Sequence, residues 1–585
     1  MNPLSRKQSL GLTASFTGIV LLYVWTAATS GESILPSKQN WGGYYGLLAD
    51  AFLDGHLYLL VAPKPELLAL PDPYDPAQNQ RYTLHDAALF RGRFYLYYGP
   101  TPALLLFVPF RYLTGLNFPQ PLAVALFCSM GLGFSFALFV LLARTYLRSI
   151  PYWLLQAALF GLGFGNVTAF ILRRPLHYEI AIAAGYALVF AGLLSFAYGF
   201  VRGSLQLSWL ALGSLLLGLA GGARVPLLAA GLVPVGIAVG SFATWRRGMS
   251  RNNIYALLAL FGPLGACIFL LGLYNYLRFG SWTEFGMHYT LQGIISPKKY
   301  QFYSLARIPS GIVYYLLVPP FPSRRLPFFR IDPWAYRMPP PGYLLEPMIG
   351  VFSGAPFLAI LGLAPWMSVR LWRSNRGLLW ATAVLAAIGM VLVGLYCTTA
   401  GTMRYEVDFA TFLLVPALLF WCYGLETWEP GRKRRVARAT LLVLLASTIG
   451  FSLVVNVSGL LERLRQMEPR AYEAIDRPFR PLERLLGDNP VLLSPKPGET
   501  LSQPIVTFRW DSIPHAEDYW IDVGTDPGQG NIYHGFTSQR TSATINLRRY
   551  LTGQKIYVRL LSKSPHGEMK PGTAKPYEFS TRPTQ

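Results

Sequence analysis

Cysteine is nearly missing from this chain: four among 585 residues, Cys128, Cys267, Cys397 and Cys422, each inside an apolar run. The segments between those runs therefore carry no disulfide framework, and no Cys/His spacing suited to zinc occurs. Charge is scarce too, at 14% against 52% hydrophobic residues, with a mean hydropathy of +0.34. A single soluble domain is excluded by that balance, which suits a chain that crosses a membrane many times. Acids are the scarcer sign, 29 against 51 Lys and Arg, leaving a formal net charge of +22. A surplus of that size would suit nucleic acid if it formed one patch. It falls instead in short loops between apolar runs, where membrane topology accounts for it.

Runs long enough to cross roughly 30 Å of hydrocarbon lie at residues 11–29, 119–143, 152–172, 180–200, 206–221, 226–244, 253–275, 347–369, 377–397, 409–427 and 439–458. About eleven spans result. Alternate loops hold Arg6 and Lys7; Arg144 and Arg148; Arg202; Arg246, Arg247 and Arg251; Arg370, Arg373 and Arg376; and Arg432 to Arg435 with Arg438. Every loop of that set is basic, which sets the amino terminus in the cytoplasm and the carboxy-terminal domain outside. The first run ends on Ala27 and Ala28 but is long for a cleaved signal, and reads as an uncleaved anchor. Pro102 to Leu113 and Ile308 to Pro320 are shorter and proline-flanked, and read as interfacial or re-entrant helices.

The expected organisation is thus a multi-span domain over residues 1–459 with a large first outward loop, 30–118; an amphipathic linker, 460–493; and an all-β sandwich, 494–585. In the last segment VTFRW, DYWIDVGT, NIYHGF, SATINL, KIYVRLLSKS and PYEFST alternate in polarity between turn residues, giving six or seven short strands. Trp510 and Tyr557 stand where such sandwiches bury an aromatic ring. The segment resembles a fibronectin type III or immunoglobulin-like module, which implies binding or spacing.

The stretch Trp41 to Pro100 is rich in Asp, Tyr and Gly and lies between two apolar runs. Asp50 and Asp54 are one turn apart on a helix there, with Tyr44, Leu47, Leu48, Ala51 and Phe52 on the other side. Asp72 and Asp75, in PDPYDP, suit turn stabilisation. His85 and Asp86 precede GRFYLYYGP, close to the membrane surface. Two further outward loops are short and polar. RRPLHYE offers Arg173, Arg174, His177, Tyr178 and Glu179; TTAGTMRYEVDF offers Arg404, Glu406 and Asp408. Ionisable groups at that depth are costly unless paired or functional. Arg224, in GGARVP, is a further phosphate candidate. Lys298, Lys299, Arg307, Arg324, Arg325, Arg330 and Arg337 give the outward segment after Tyr276 a positive surplus that runs against the topological bias, as a cradle for a lipid phosphate would.

The paired tyrosines in Y-Y-x-L-L-A-x-x-F-L-x-G from Tyr44, the G-R-F-Y-x-x-Y-x-P segment from Gly92, the span count and the Arg404–Tyr405 pair at the start of a late span together resemble the GT-C membrane glycosyltransferases, nearest the protein mannosyltransferase and arabinosyltransferase-like bacterial enzymes. The likeness covers roughly residues 10–460. It implies a polyprenyl-phosphate-linked sugar donor, an envelope glycan, lipid or protein as acceptor, membrane lipids as surroundings, no nucleic-acid partner, and an acid of the first outward loop as base or as contact to a divalent cation such as Mg or Mn. Where those enzymes carry an acidic pair just before the paired tyrosines, this chain has Asn40, Trp41, Gly42 and Gly43, so that Asp50, Asp54, Asp86 or Glu32 takes the role, or the activity has been lost. The expected site places Asp50, Asp54 or Asp86 as base, Arg404, Arg224, Arg173, Lys298 and Arg307 on the phosphate, and His85, His177, Tyr178, Glu179 and Asp408 around the acceptor. A non-catalytic envelope scaffold and a transporter of lipid-linked substrates are the alternatives.

Overall fold

The structure is a computed structural model and describes the chain apart from residues 1–4, 39–41, 202–205, 246–250, 292–300, 323–325, 327, 331–344, 347, 429–430, 468, 480–481, 483–489, 491, 511–517, 539, 564–575 and 583–585. Its contacts divide into two compact units. One, helical, comprises residues 1–320 and 331–460; the other comprises 321–330 and 461–585.

Among the described residues, seven helices are long and apolar enough to cross a bilayer: Arg6–Ala28, Gln120–Tyr146, His177–Phe200, Arg251–Phe279, Arg376–Cys397, Met403–Thr427 and Arg432–Leu461. The protein is a multi-pass membrane protein. The other four expected spans are present as shorter or interrupted helices. The run at 152–172 breaks after Gly165 and resumes as Thr168–Arg173. Leu207–Ala223 stops after 17 residues, and the next run opens as a 3-10 turn over Val225–Gly231 before becoming helical. The run at 347–369 is cut at Ala355, whose φ of −130° and ψ of 72° reflect the proline that follows. The two short proline-flanked stretches form helices over Ala103–Thr114 and Leu305–Leu317, each with a π-helical turn. At 1.5 Å per residue each reaches only about 20 Å, too little to cross.

Helix Met403–Thr427 is the hub: its apolar window is wholly buried, whereas that of Arg251–Phe279 is 17% buried and shows Leu270 and Phe269 outward. It packs on Tyr152–Gly165, His177–Val201, Arg376–Cys397 and the Pro356–Leu363 turn. Glycine permits that approach. A Cβ on Gly165 would stand 3.0 Å from a Leu414 methyl carbon, and one on Gly389 3.1 Å from Leu413 and Phe412. Among the described glycines, the one whose added Cβ would come nearest to another atom meets backbone. A Cβ on Gly99 would lie 1.8 Å from the carbonyl oxygen of Gly222. Gly99→Ala should therefore cost at least about 1–3 kcal/mol, the usual range for overpacking, seen as a lower melting temperature in detergent; an unchanged melting curve would refute the contact.

Between the first two long helices lie Gly43–Leu53 and a hairpin, Ala88–Phe90 paired antiparallel with Arg93–Tyr95. Its two-residue turn, Arg91 and Gly92, has φ of 48° and 73°. Both central residues are thus left-handed, the turn that matches the twist of adjacent strands.

In the second unit, strands Ser542–Asn546, Ile505–Trp510 and Leu492–Ser494 form one sheet in that order. Thr500–Leu501, Tyr577–Thr581, Lys555–Lys563, Asp518–Gly524 and Tyr533–Phe536 form the other. Phe508 of the first meets Phe579 of the second in a core with Trp510 and Val558. Trp510 is buried as expected. Tyr557 is not: Ile556, Val558 and Leu560 take the inward positions of its strand, and period-two alternation turns Tyr557 to the other face.

Candidate active site

Asp86 ends the loop before the hairpin in a left-handed conformation, φ 60°. Its N–H donates to the Leu291 carbonyl at 3.1 Å, and Leu291 returns a bond to the Ala87 carbonyl at 2.9 Å. The Tyr44 hydroxyl, from the helix Gly43–Leu53, donates to the carbonyl of His85. Three distant segments thus hold one carboxylate, whose side chain is 13% exposed. Burial pushes the Asp86 carboxyl above the ordinary aspartate range, and Glu346 adds to the push; His85, Arg404 and Arg174 pull it back. His85 is the exposed member of the pair, its Nε2 3.5 Å from Asp86.

Arg404 lies in the 3-10 turn that leads into the hub helix. Its Nη2 donates to Glu346 Oε1 at 2.8 Å, and its Nη1 stands 3.7 Å from Glu179 Oε1. Glu346 is held in turn by its own N–H on the Gly401 carbonyl, 2.8 Å, and by the Thr402 hydroxyl, 2.6 Å. The Arg404 guanidinium lies 4.7 Å from the centre of the Tyr178 ring. Among the described residues its Nε and Nη1 have no hydrogen-bond partner. Buried His177 packs 4.4 Å from the Tyr44 ring and 5.7 Å from Tyr98, its Nε2 without a hydrogen bond among the described residues. Arg174 is exposed beside this wall, 6.0 Å from the Tyr178 ring, with no ion pair among the described residues. One acid, two arginines, two further carboxylates and a histidine with tyrosines around it can thus receive an anion next to a hydroxyl.

The other expected residues are engaged elsewhere. Asp50 accepts from Arg111 Nε at 2.8 Å, and Asp54, exposed, stands 3.3 Å from His56. Asp72 accepts the Tyr74 N–H, and Asp75 caps a short helix at Ala77, as turn acids do. Arg224 is closed in a buried pair, its Nη2 2.8 Å from Asp408 and 2.9 Å from the Tyr396 hydroxyl, which also donates to Asp408. Arg173 bonds Asn456 and Thr29 and covers Trp25. Arg307 reaches the carbonyls of Thr399 and Phe302. Glu32 accepts from Gln120 at 3.1 Å. Lys298, Lys299, Arg324, Arg325 and Arg337 lie outside the described residues.

Sequence reasoning missed Glu346, and although it named Arg174 in its loop it placed Arg173 on the phosphate instead. Glu346 is a lone acid after a proline-rich stretch and has no local pattern to mark it. Arg174 adjoins Arg173, and only the turn of the helix end decides that the second arginine faces Tyr178. The described residues bring no three His, Cys, Asp or Glu side chains together for a divalent cation.

No family model and no curated protein matches the sequence. Solved structures similar to it include the following three. One is the archaeal oligosaccharyltransferase AglB from Archaeoglobus fulgidus, in complex with an inhibitory peptide and a dolichol-phosphate, at 13% identity and a TM-score of 0.36 over 79% of this chain. The chain spans 59% of that protein's length. The others are ArnT from Cupriavidus metallidurans, bound to undecaprenyl phosphate (14%, TM-score 0.36) and in the apo state (13%, 0.37). Each covers 84% of this chain; the shares of ArnT covered are 83% and 82%.

Proposed function

We propose that the protein is a membrane glycosyltransferase that moves a sugar from a polyprenyl-phosphate donor to a hydroxyl on the outer side of the inner membrane, with the carboxy-terminal unit on that side. The observation that carries this reading is that Asp86 of the first loop lies within electrostatic reach of Arg404, at the start of the hub helix, and of Glu346, which pairs with Arg404 at 2.8 Å at the end of the 276–346 segment. Segments this far apart in sequence need not meet for anchoring alone.

In this reading Asp86 takes the proton of the acceptor hydroxyl as its oxygen attacks the anomeric carbon. The bond from that carbon to the phosphate oxygen breaks with its electron pair, and the polyprenyl phosphate leaves as an anion. Arg404 and Arg174 stabilise the charge that gathers on the phosphate, Arg404 being held in place by Glu346 and Glu179. His177 and Tyr178 shape the acceptor side. The test is transfer from radiolabelled polyprenyl-phosphate sugars by the purified chain in lipid. Arg174→Ala should raise the KM for the donor by about tenfold, the loss of one charge-assisted contact, with a smaller effect on kcat. Absence of transfer from any polyprenyl-phosphate sugar tried, together with failure to bind the lipid, would overturn the reading.

A further inference from the structure

At the far end of the hub helix from Arg404, a cavity of about 330 Å³ opens between, on one side, Ser149 with the start of helix Tyr152–Gly165 and, on the other, the start of helix Arg432–Met467. Residue 426 lines it, twenty positions along from residue 406. At 1.5 Å per residue the cavity lies about 30 Å from the candidate site, at the opposite membrane surface. Three of its walls are Arg434, Arg435 and Arg438. Arg434 and Arg438, and Arg435 and Arg438, are helical neighbours and share a face. All three are exposed, and none is in an ion pair among the described residues. Arg438 lies 4.6 Å from the centre of the Trp153 ring, which stiffens a long cation against an interfacial aromatic. Leu154 and Leu425 add apolar wall. The one acid, Glu426, accepts the backbone N–H of Arg148 at 3.0 Å.

We propose that this cavity seats the phosphate headgroup of an anionic membrane lipid from the leaflet opposite the candidate site. Three clustered arginines with no carboxylate partner among the described residues give the charge complementarity. Their position at the end of the spans puts them at headgroup depth, and the leucines suit the glycerol and first methylenes. None of these residues takes part in the proposed transfer, so the inference is independent of that reading.

The test uses the full-length chain purified in non-ionic detergent and challenged with phosphatidylglycerol, phosphatidylcholine or inorganic phosphate, bound lipid being counted by native mass spectrometry and stability by melting temperature. Phosphatidylglycerol should be retained and should raise the melting temperature; phosphatidylcholine should do neither. The triple variant Arg434→Gln, Arg435→Gln, Arg438→Gln should bind phosphatidylglycerol about a hundredfold more weakly, at roughly fivefold per arginine. Glu426→Gln keeps the bond to Arg148 and removes the opposing charge, so it should bind more tightly. Equal retention of the two lipids, or unchanged binding in the triple variant, overturns the proposal. The same stabilisation by inorganic phosphate alone overturns the assignment to a lipid. Should the triple variant fail to fold, Glu426→Gln decides, and unchanged phosphatidylglycerol affinity counts against the proposal.

Discussion

Asp86→Asn is expected to lower the single-turnover rate of sugar transfer by about 10²- to 10⁴-fold, the usual contribution of a positioned base, while retention of the polyprenyl-phosphate donor stays near that of the parent protein. The amide keeps the size and the left-handed backbone of the aspartate, since Asn tolerates positive φ as Asp does. What it loses is the ability to accept a proton. A pH profile gives an independent check. The base works only when ionised, and burial holds its pKa above the ordinary aspartate range. Transfer should therefore fall on acidification at a pH higher than a solvated aspartate would give. Glu346→Gln removes one carboxylate that raises the Asp86 pKa, so the acid limb should move to lower pH. An Asp86→Asn protein with the parent rate and profile would move the base elsewhere, and Asp50, bound to Arg111, would be the next acid to replace.

The second large effect concerns stability. Arg224→Met should destabilise the helical unit by about 3–5 kcal/mol, the typical result of removing one partner of a buried ion pair. Arg224 and Asp408 are 8% and 0% exposed at the side chain, and Tyr396 donates to the same carboxylate oxygen. With the guanidinium gone, the carboxylate keeps only the phenol. The double variant Arg224→Met, Asp408→Leu should recover much of the loss, because an apolar pair leaves no buried charge behind. Thermal melts in detergent of the two single variants and the double variant close the cycle. If the single variant melts like the parent, the pair is not structural, and Arg224 returns as a candidate phosphate contact.

The layout of the helical unit was legible because hydropathy and the sign of loop charge are summed over tens of residues. Its breaks were less so. A run such as 347–369 has the composition of a span, and only the conformational demand of Pro356 on Ala355 divides it. The β unit was legible through period-two alternation, which also shows why Tyr557 faces away from the core. The site was legible in kind and not in detail. Asp50 and Asp54 read as strongly as Asp86 because one-turn spacing on a helix is a local pattern. The events that decide between them, Arg111 approaching Asp50 and Leu291 clamping Asp86, are non-local. Asp408 and Arg224 were both recognised as unusual, but 184 positions separate them, and nothing in either neighbourhood announces the pairing.

The wholly enclosed helix that begins beside Arg404 is also made after most of the described helices it packs on. Ribosomes deliver residues 6–400 before it exists, so the earlier helices enter the bilayer around a space that only residues 403–427 can fill. Until then the glycine-lined faces at Gly161 and Gly165 and the Arg224 side chain have no native neighbour from this helix. Biogenesis of the described bundle is in that sense held open for this one segment, and chains truncated before residue 403 should be retained by membrane quality control rather than accumulate as a smaller stable unit.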